Sequence, residues 1–109
     1  MSSPLDKVKK AQEAKYARDA DVEFKINARR NKLVGLWAAN LIGLNDNDAV
    51  IFAKDVVLSD FEEPGQEDVI RKVISDLQKA NVSIPEEEIR LKMTELYEVA
   101  KEQIYSEIS

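Results

Sequence analysis

Apolar residues recur at intervals of three and four along most of the chain, most clearly from Phe24 to Gly43 (FKINARRNKLVGLWAANLIG). There Leu33, Val34, Leu36, Trp37, Ala38, Leu41 and Ile42 predict a helix with a wide buried stripe. Arg29, Arg30, Asn31, Lys32 and Asn40 belong on its wet side, and Trp37 belongs inside, against Met93 or Leu96 of the last helix. Gly43 follows the last periodic residue, where a left-handed cap suits glycine. Gly35 falls inside the run instead. An interior glycine costs about 1 kcal/mol of helix propensity against Ala, which close approach by a neighbouring helix explains.

The pattern then repeats in shorter pieces. Asn45 with Asp48 resembles a capping box, with Asn47 as a competing cap. The helix it opens runs to about Leu58, with Ala49, Val50, Ala53, Val56 and Val57 inward. Ser59 to Gly65 breaks the period, Pro64 standing in the turn or opening the next helix. That helix runs from about Gln66 to Ala80 with Val69, Ile70, Val73, Ile74 and Leu77 inward, and Asn81 offers a left-handed cap. Ser83, Pro85 and Glu86 mark the start of the last helix, whose stripe is Ile89, Met93, Leu96, Ala100 and Ile104. Helices at about 20–42, 48–58, 65–80 and 84–105, joined by short links, predict an all-α fold. It is a small antiparallel four-helix bundle whose main axis is the first and last helices.

The stretch from Leu5 to Asp21 differs. Lys, Ala, Gln and Glu make it helix-prone, but its apolar face is thin, and an isolated helix of that length is marginal in water. We therefore expect two parts: a mobile, helix-prone segment at 1–19 and a four-helix body at 20–109. Charge divides the chain in the same place. The formal net charge is −5. Residues 1–20 hold Lys7, Lys9, Lys10, Lys15 and Arg18 against Asp6, Glu13 and Asp19, a balance of +2 that leaves −7 on the rest. A basic segment on an acidic body suggests a partner-binding element, with a solubilising tail as the plainer alternative.

Candidate chemistry is sparse. The chain has no Cys and no His, so disulfides, thiolate chemistry, the usual general base and the commonest metal ligand are excluded. No phosphate-cradling glycine loop is present. Glu62, Glu63, Glu67 and Asp68 gather where a helix N-terminus favours anions and lack the spacing of a calcium loop. Carboxylate pairs such as Glu98 and Glu102 read as solvated surface, and Arg29 to Lys32 as a basic cluster paired with the acidic body or facing water, with a grip on phosphate as the alternative. An acidic body argues against nucleic-acid binding, and no apolar run is long enough for direct membrane insertion. The expectation is a non-enzymatic, cytoplasmic protein without a metal or a required cofactor.

Four blocks make the sequence recognisable: Lys15 to Asp19 (KYARD), Arg29 to Ala39 (RRNKLVGLWAA), Ser59 to Val69 (SDFEEPGQEDV) and Ile89 to Leu96 (IRLKMTEL). Together they resemble the zeta subunit family of the alphaproteobacterial F-type ATP synthase, small inhibitors of its F1 part. The resemblance implies a four-helix protein, monomeric when free. Its N-terminal segment would fold into the F1-ATPase catalytic (alpha/beta) interface, near the gamma subunit, at the cytoplasmic side of the inner membrane, and block ATP hydrolysis. It also implies weak adenine nucleotide binding. Carried onto this chain, the partner-binding positions are Leu5, Val8, Ala11, Gln12, Lys15, Tyr16 and Asp19. Where the family usually reads Phe, Asp, Asp, Arg, Glu, Lys, Ala, Phe, this chain reads Leu5, Asp6, Lys7, Val8, Lys9, Lys10, Ala11, Gln12. The alternative reading is a small helical adaptor, or a weakly inhibitory member, that binds through the four-helix body.

Overall fold

The structure is a computed structural model that describes the main chain of residues 4–59 and 66–108, with side chains from residue 20 onward. Four helices follow in order: α1 (Pro4–Ile42), α2 (Asp46–Ser59), α3 (Glu67–Lys79) and α4 (Glu86–Ile108). The helix-prone stretch at 5–21 and the helix expected at about 20–42 are one helix of 39 residues, since nothing between Pro4 and Ile42 but Gly35 opposes helix. The expected link from Asp60 to Gly65, with Glu62, Glu63 and Pro64, lies outside the described residues.

Capping signals act where the sequence places them. Gly43 takes φ +89°. Its N–H donates to Asn40, and the Leu44 N–H donates to Ala39, 3.0 Å away, which is the double closure of a Schellman end. Asn81 does the same at φ 60°, with the Val82 N–H reaching Leu77 at 2.8 Å. The Asn45 side chain accepts from the Asp48 N–H at 3.0 Å and so caps α2. At α4 the boundary falls at Pro85, whose carbonyl accepts from Glu88 and Ile89, two residues beyond the expected Ser83 cap.

Val34 and Ala38 of α1 pack with Val56, Ile70, Val73, Leu77, Ile89 and Met93 in a core shared by all four helices. Val22 and Ile26 pack with Ala100 and Ile104 in a second, smaller core, made among the described residues by α1 and α4. Early α1 thus meets late α4 and late α1 meets early α4, so the two run antiparallel. A Cβ built on Gly35 would lie 2.6 Å from the Ala53 Cα and 3.3 Å from the Val56 Cβ. The glycine is what lets α2 lie directly on α1. Between α2 and α3, Lys72 bridges Asp55 at 2.7 Å and Asp76 at 3.0 Å. Partial burial disfavours its ammonium, but the two carboxylates outweigh that and hold its pKa above the ordinary value.

Several expected placements need correction. Trp37 is half-buried. It packs on the edge of the shared core with the Lys92 ammonium 5.7 Å above its ring, because a side chain that large rarely disappears fully from so small a bundle. Leu41 and Val50, expected inward, are 36% and 58% exposed. Leu41 lies in the last turn of α1, and the buried stripe of α2 is turned toward Phe52, Ala53, Val56 and Ser59, which leaves Val50 off its edge. Arg30 and Asn31, expected in water, are buried.

Candidate functional site at the root of the first helix

The predicted partner-binding positions Leu5, Val8, Ala11, Gln12, Lys15, Tyr16 and Asp19 all lie on α1, but their side chains are outside the described residues. What the structure defines is the root that carries them. From Val22 onward, α1 is fixed to α4 by the smaller core and by polar contacts on both flanks. On one side the Tyr97 hydroxyl lies 3.0 Å from each oxygen of Glu23, and Asn27 donates to the same carboxylate at 3.3 Å. On the other, Arg29 donates to Gln103 at 2.8 Å and to both oxygens of Glu107 at 2.7 and 3.0 Å. Burial, then the Glu23 carboxylate, raises the Tyr97 phenol above its ordinary pKa. Each such hydrogen bond contributes on the order of 1 kcal/mol, and an exposed ion pair such as Lys25–Asp21, 3.2 Å apart, contributes less.

Beside this root runs an open groove of about 530 Å³. Phe24 and Ala28 of α1, Val57 of α2, and Ile104 and Ile108 of α4 form its apolar walls, and Lys25, Arg29 and Lys32 stand along it. Phe24 is 58% exposed. Among the described residues no group of three or more His, Cys, Asp or Glu could hold a metal ion. The arrangement can hold an apolar group beside negative charge.

A small four-helix bundle is the architecture the family resemblance implies, and comparison with known proteins decides the family. The model of the family described as ATPase inhibitor subunit zeta matches residues 1–103. This chain belongs to the ATPase inhibitor subunit zeta family. Members of the zeta family are regulatory inhibitors and not catalysts. A protein whose structure was solved by NMR in solution is 48% identical, with a TM-score of 0.70, over 78% of this chain and 96% of its own. No individually curated protein matches. Among the described residues, no helix is long and apolar enough to cross a membrane.

In this zeta-family chain, sequence reasoning missed the buried polar layer just above the root. Arg30 is 7% exposed and Asn31 fully enclosed. The Arg30 Nε donates to the Asn31 side-chain oxygen at 3.1 Å, and one terminal nitrogen of Arg30 donates to Gln66 at 3.3 Å. The Asn31 Nδ2 has no hydrogen-bond partner, an expense of roughly 1–3 kcal/mol for a buried donor. A signal existed. Val22, Ile26, Arg30, Val34 and Ala38 stand four apart, and all are buried, so Arg30 continues an inward ridge that its charge disguised. Of the basic cluster, Lys32 is exposed, and Arg29 pairs with the acidic body through Glu107.

Proposed function

We propose that this protein restrains ATP hydrolysis by the F1 part of the F-type ATP synthase by inserting its N-terminal segment, residues 1–19, at an alpha/beta catalytic interface near the gamma subunit. On this reading it acts at the cytoplasmic face of the membrane that holds the enzyme. Family membership supports the target. The observation that carries the mode of action is the continuity of α1 from Pro4 to Ile42 together with its clamped root. A helix held by Val22, Ile26, Arg29 and Glu23 against α4 transmits any force on its tip to the body, so a rotating partner meets a braced rod.

Within the segment, Leu5, Val8, Ala11 and Tyr16 supply the apolar contacts. Lys15, Asp19 and the neighbouring charges set register, since buried anchors carry most binding energy while rim charges adjust rates and salt dependence. Gln12 is the weak position, where the family resemblance implies an aromatic residue. The test is ATP hydrolysis by purified F1 from the same source with increasing amounts of the intact chain, a chain lacking residues 1–19, Tyr16→Ala and Gln12→Phe. We expect inhibition by the intact chain, loss on truncation, weakening by Tyr16→Ala and strengthening by Gln12→Phe. Equal inhibition by the intact and truncated chains would overturn the mechanism.

A further inference from the structure

We infer that the two polar contacts flanking the α1 root, Glu23 with Tyr97 and Arg29 with Glu107, are positioning residues for inhibition. They fix the rotation of α1 about its own axis and so decide which face the N-terminal segment presents. The inference rests on the reading of the chain as an F1 regulator. It adds to that reading a role for α4, whose side chains act through α1 and not on the partner.

Helical register supplies the first observation. Glu23 and Arg29 each stand three residues from Ile26, which at about 100° per residue places them about 60° to either side of it. Ile26 is buried at the centre of the smaller core. The two contacts therefore straddle the buried stripe like a pair of stays. The Tyr97 hydroxyl lies 3.0 Å from each Glu23 oxygen, and Arg29 donates to both Glu107 oxygens at 2.7 and 3.0 Å. An apolar seam tolerates rolling, because burial has no preferred direction. A hydrogen bond on each flank opposes rolling either way, because it weakens as its angle bends.

The second observation is where the stripe leads. The main chain of α1 is one helix from Pro4 to Ile42. Val8 stands eighteen residues before Ile26, which is about five full turns, so it returns to the same azimuth. By the same count Leu5 falls about 60° round on the Glu23 side, Ala11 about 60° round on the Arg29 side, and Tyr16 about 80° round on the Glu23 side. The four apolar positions proposed to grip F1 thus share the face that α1 turns to α4 at Val22 and Ile26. α4 ends at Ile108, and the partner takes up the same face of α1 closer to its N-terminus. A root free to roll would aim that face correctly only part of the time, and apparent affinity falls by that fraction. Fixing the azimuth before binding removes the cost.

The experiment titrates ATP hydrolysis by purified F1 with wild type, Arg29→Glu, Glu107→Arg, the double variant carrying both, Tyr97→Phe and, as a stability control, Val73→Ala. Val73 is fully buried in the shared core. Melting curves set an assay temperature at which every chain is folded. Each charge reversal should raise the half-inhibiting concentration about tenfold, the scale of one charged hydrogen bond, and the double variant should return close to wild type. Tyr97→Phe should raise it about fivefold, the scale of an ordinary hydrogen bond. Val73→Ala should melt earlier and still inhibit as wild type does. Undiminished inhibition by both single reversals and by Tyr97→Phe overturns the stays and leaves the regulatory reading standing. A loss in Arg29→Glu that Glu107→Arg does not repair assigns Arg29 to direct contact with the partner and overturns positioning through α4. A loss that simply follows melting temperature, Val73→Ala included, overturns it too. No inhibition by the intact wild type overturns the regulatory reading and the stays with it.

Discussion

At one end of this bundle all four helices bury side chains in common; at the other, among the described residues, the buried side chains come from α1 and α4. The shared core holds Val34, Ala38, Val56, Val69, Ile70, Val73, Leu77, Ile89 and Met93. The smaller one holds Val22, Ile26, Ala100 and Ile104. Buried apolar area sets the scale of hydrophobic stabilisation, at about 25 cal/mol per Å², so the two-helix end draws far less from it. It compensates with polar contacts at its edges, Tyr97 to Glu23 and Arg29 to Gln103 and Glu107, each worth on the order of 1 kcal/mol. Between the ends stands the Arg30–Asn31 layer. The end that carries the proposed inhibitory segment is thus the one held by directional contacts and fewer methyl groups. Hydrogen bonds fix the direction of α1 more sharply than a slippery apolar seam does.

The comparison breaks first on the cores. Ile70→Ala, at a side chain 1% exposed, should cost about 2–5 kcal/mol and unfold the chain as a whole in chemical denaturation. Ile26→Ala, 2% exposed in the smaller core, should cost toward about 2 kcal/mol, the low end of that range. Its loss of amide protection should concentrate in residues 22–33 and 97–107. Equal global destabilisation, with no local pattern, would show that the two ends form one cooperative unit. Next comes Gly35→Ala. The added methyl meets the Ala53 main chain, and the strain, on the order of 1–3 kcal/mol, exceeds the propensity gain of about 1 kcal/mol. The melting temperature should fall, where an ordinary helical glycine would raise it.

A smaller effect tests the polar edge. Tyr97→Phe should cost about 1 kcal/mol and, in amide exchange, loosen the root more than the shared core. The phenol's pKa is raised in the folded state. The stability it contributes is therefore present below the unfolded value near 10 and falls as pH rises from there through the folded value. Absorbance titration should show one tyrosine ionising late in wild type and not in Tyr97→Phe. The smallest effect belongs to the shared end's surface, where the Arg90–Glu67 pair, 2.8 Å apart, links α4 to α3. Hydrogen bonding to Arg90 holds the Glu67 carboxyl below its usual value. This contribution is present at neutral pH and vanishes as pH falls through the depressed value. Glu67→Gln should lower the melting temperature slightly at pH 7 in low salt and not at all in strong acid.

Periods of three and four, with Gly43, Asn45 and Asn81 at the ends, were enough to set the helices, their order and their antiparallel packing. These signals are local: an apolar stripe needs a partner surface whatever that surface is, and a cap satisfies main-chain groups within a few residues. Gly35 announced a close neighbour for the same reason. The family blocks likewise lie in the chain itself. Tertiary structure decided what depends on which helix stands opposite. Arg30 and Asn31 are inside because the four-residue ridge through Val22, Ile26, Val34 and Ala38 faces the bundle and Gln66 arrives to accept from Arg30, which no single-helix pattern contains. Trp37 rests at the rim, Val50 is exposed and Phe24 stands at a groove mouth because burial is a property of two surfaces together, and a sequence displays one at a time.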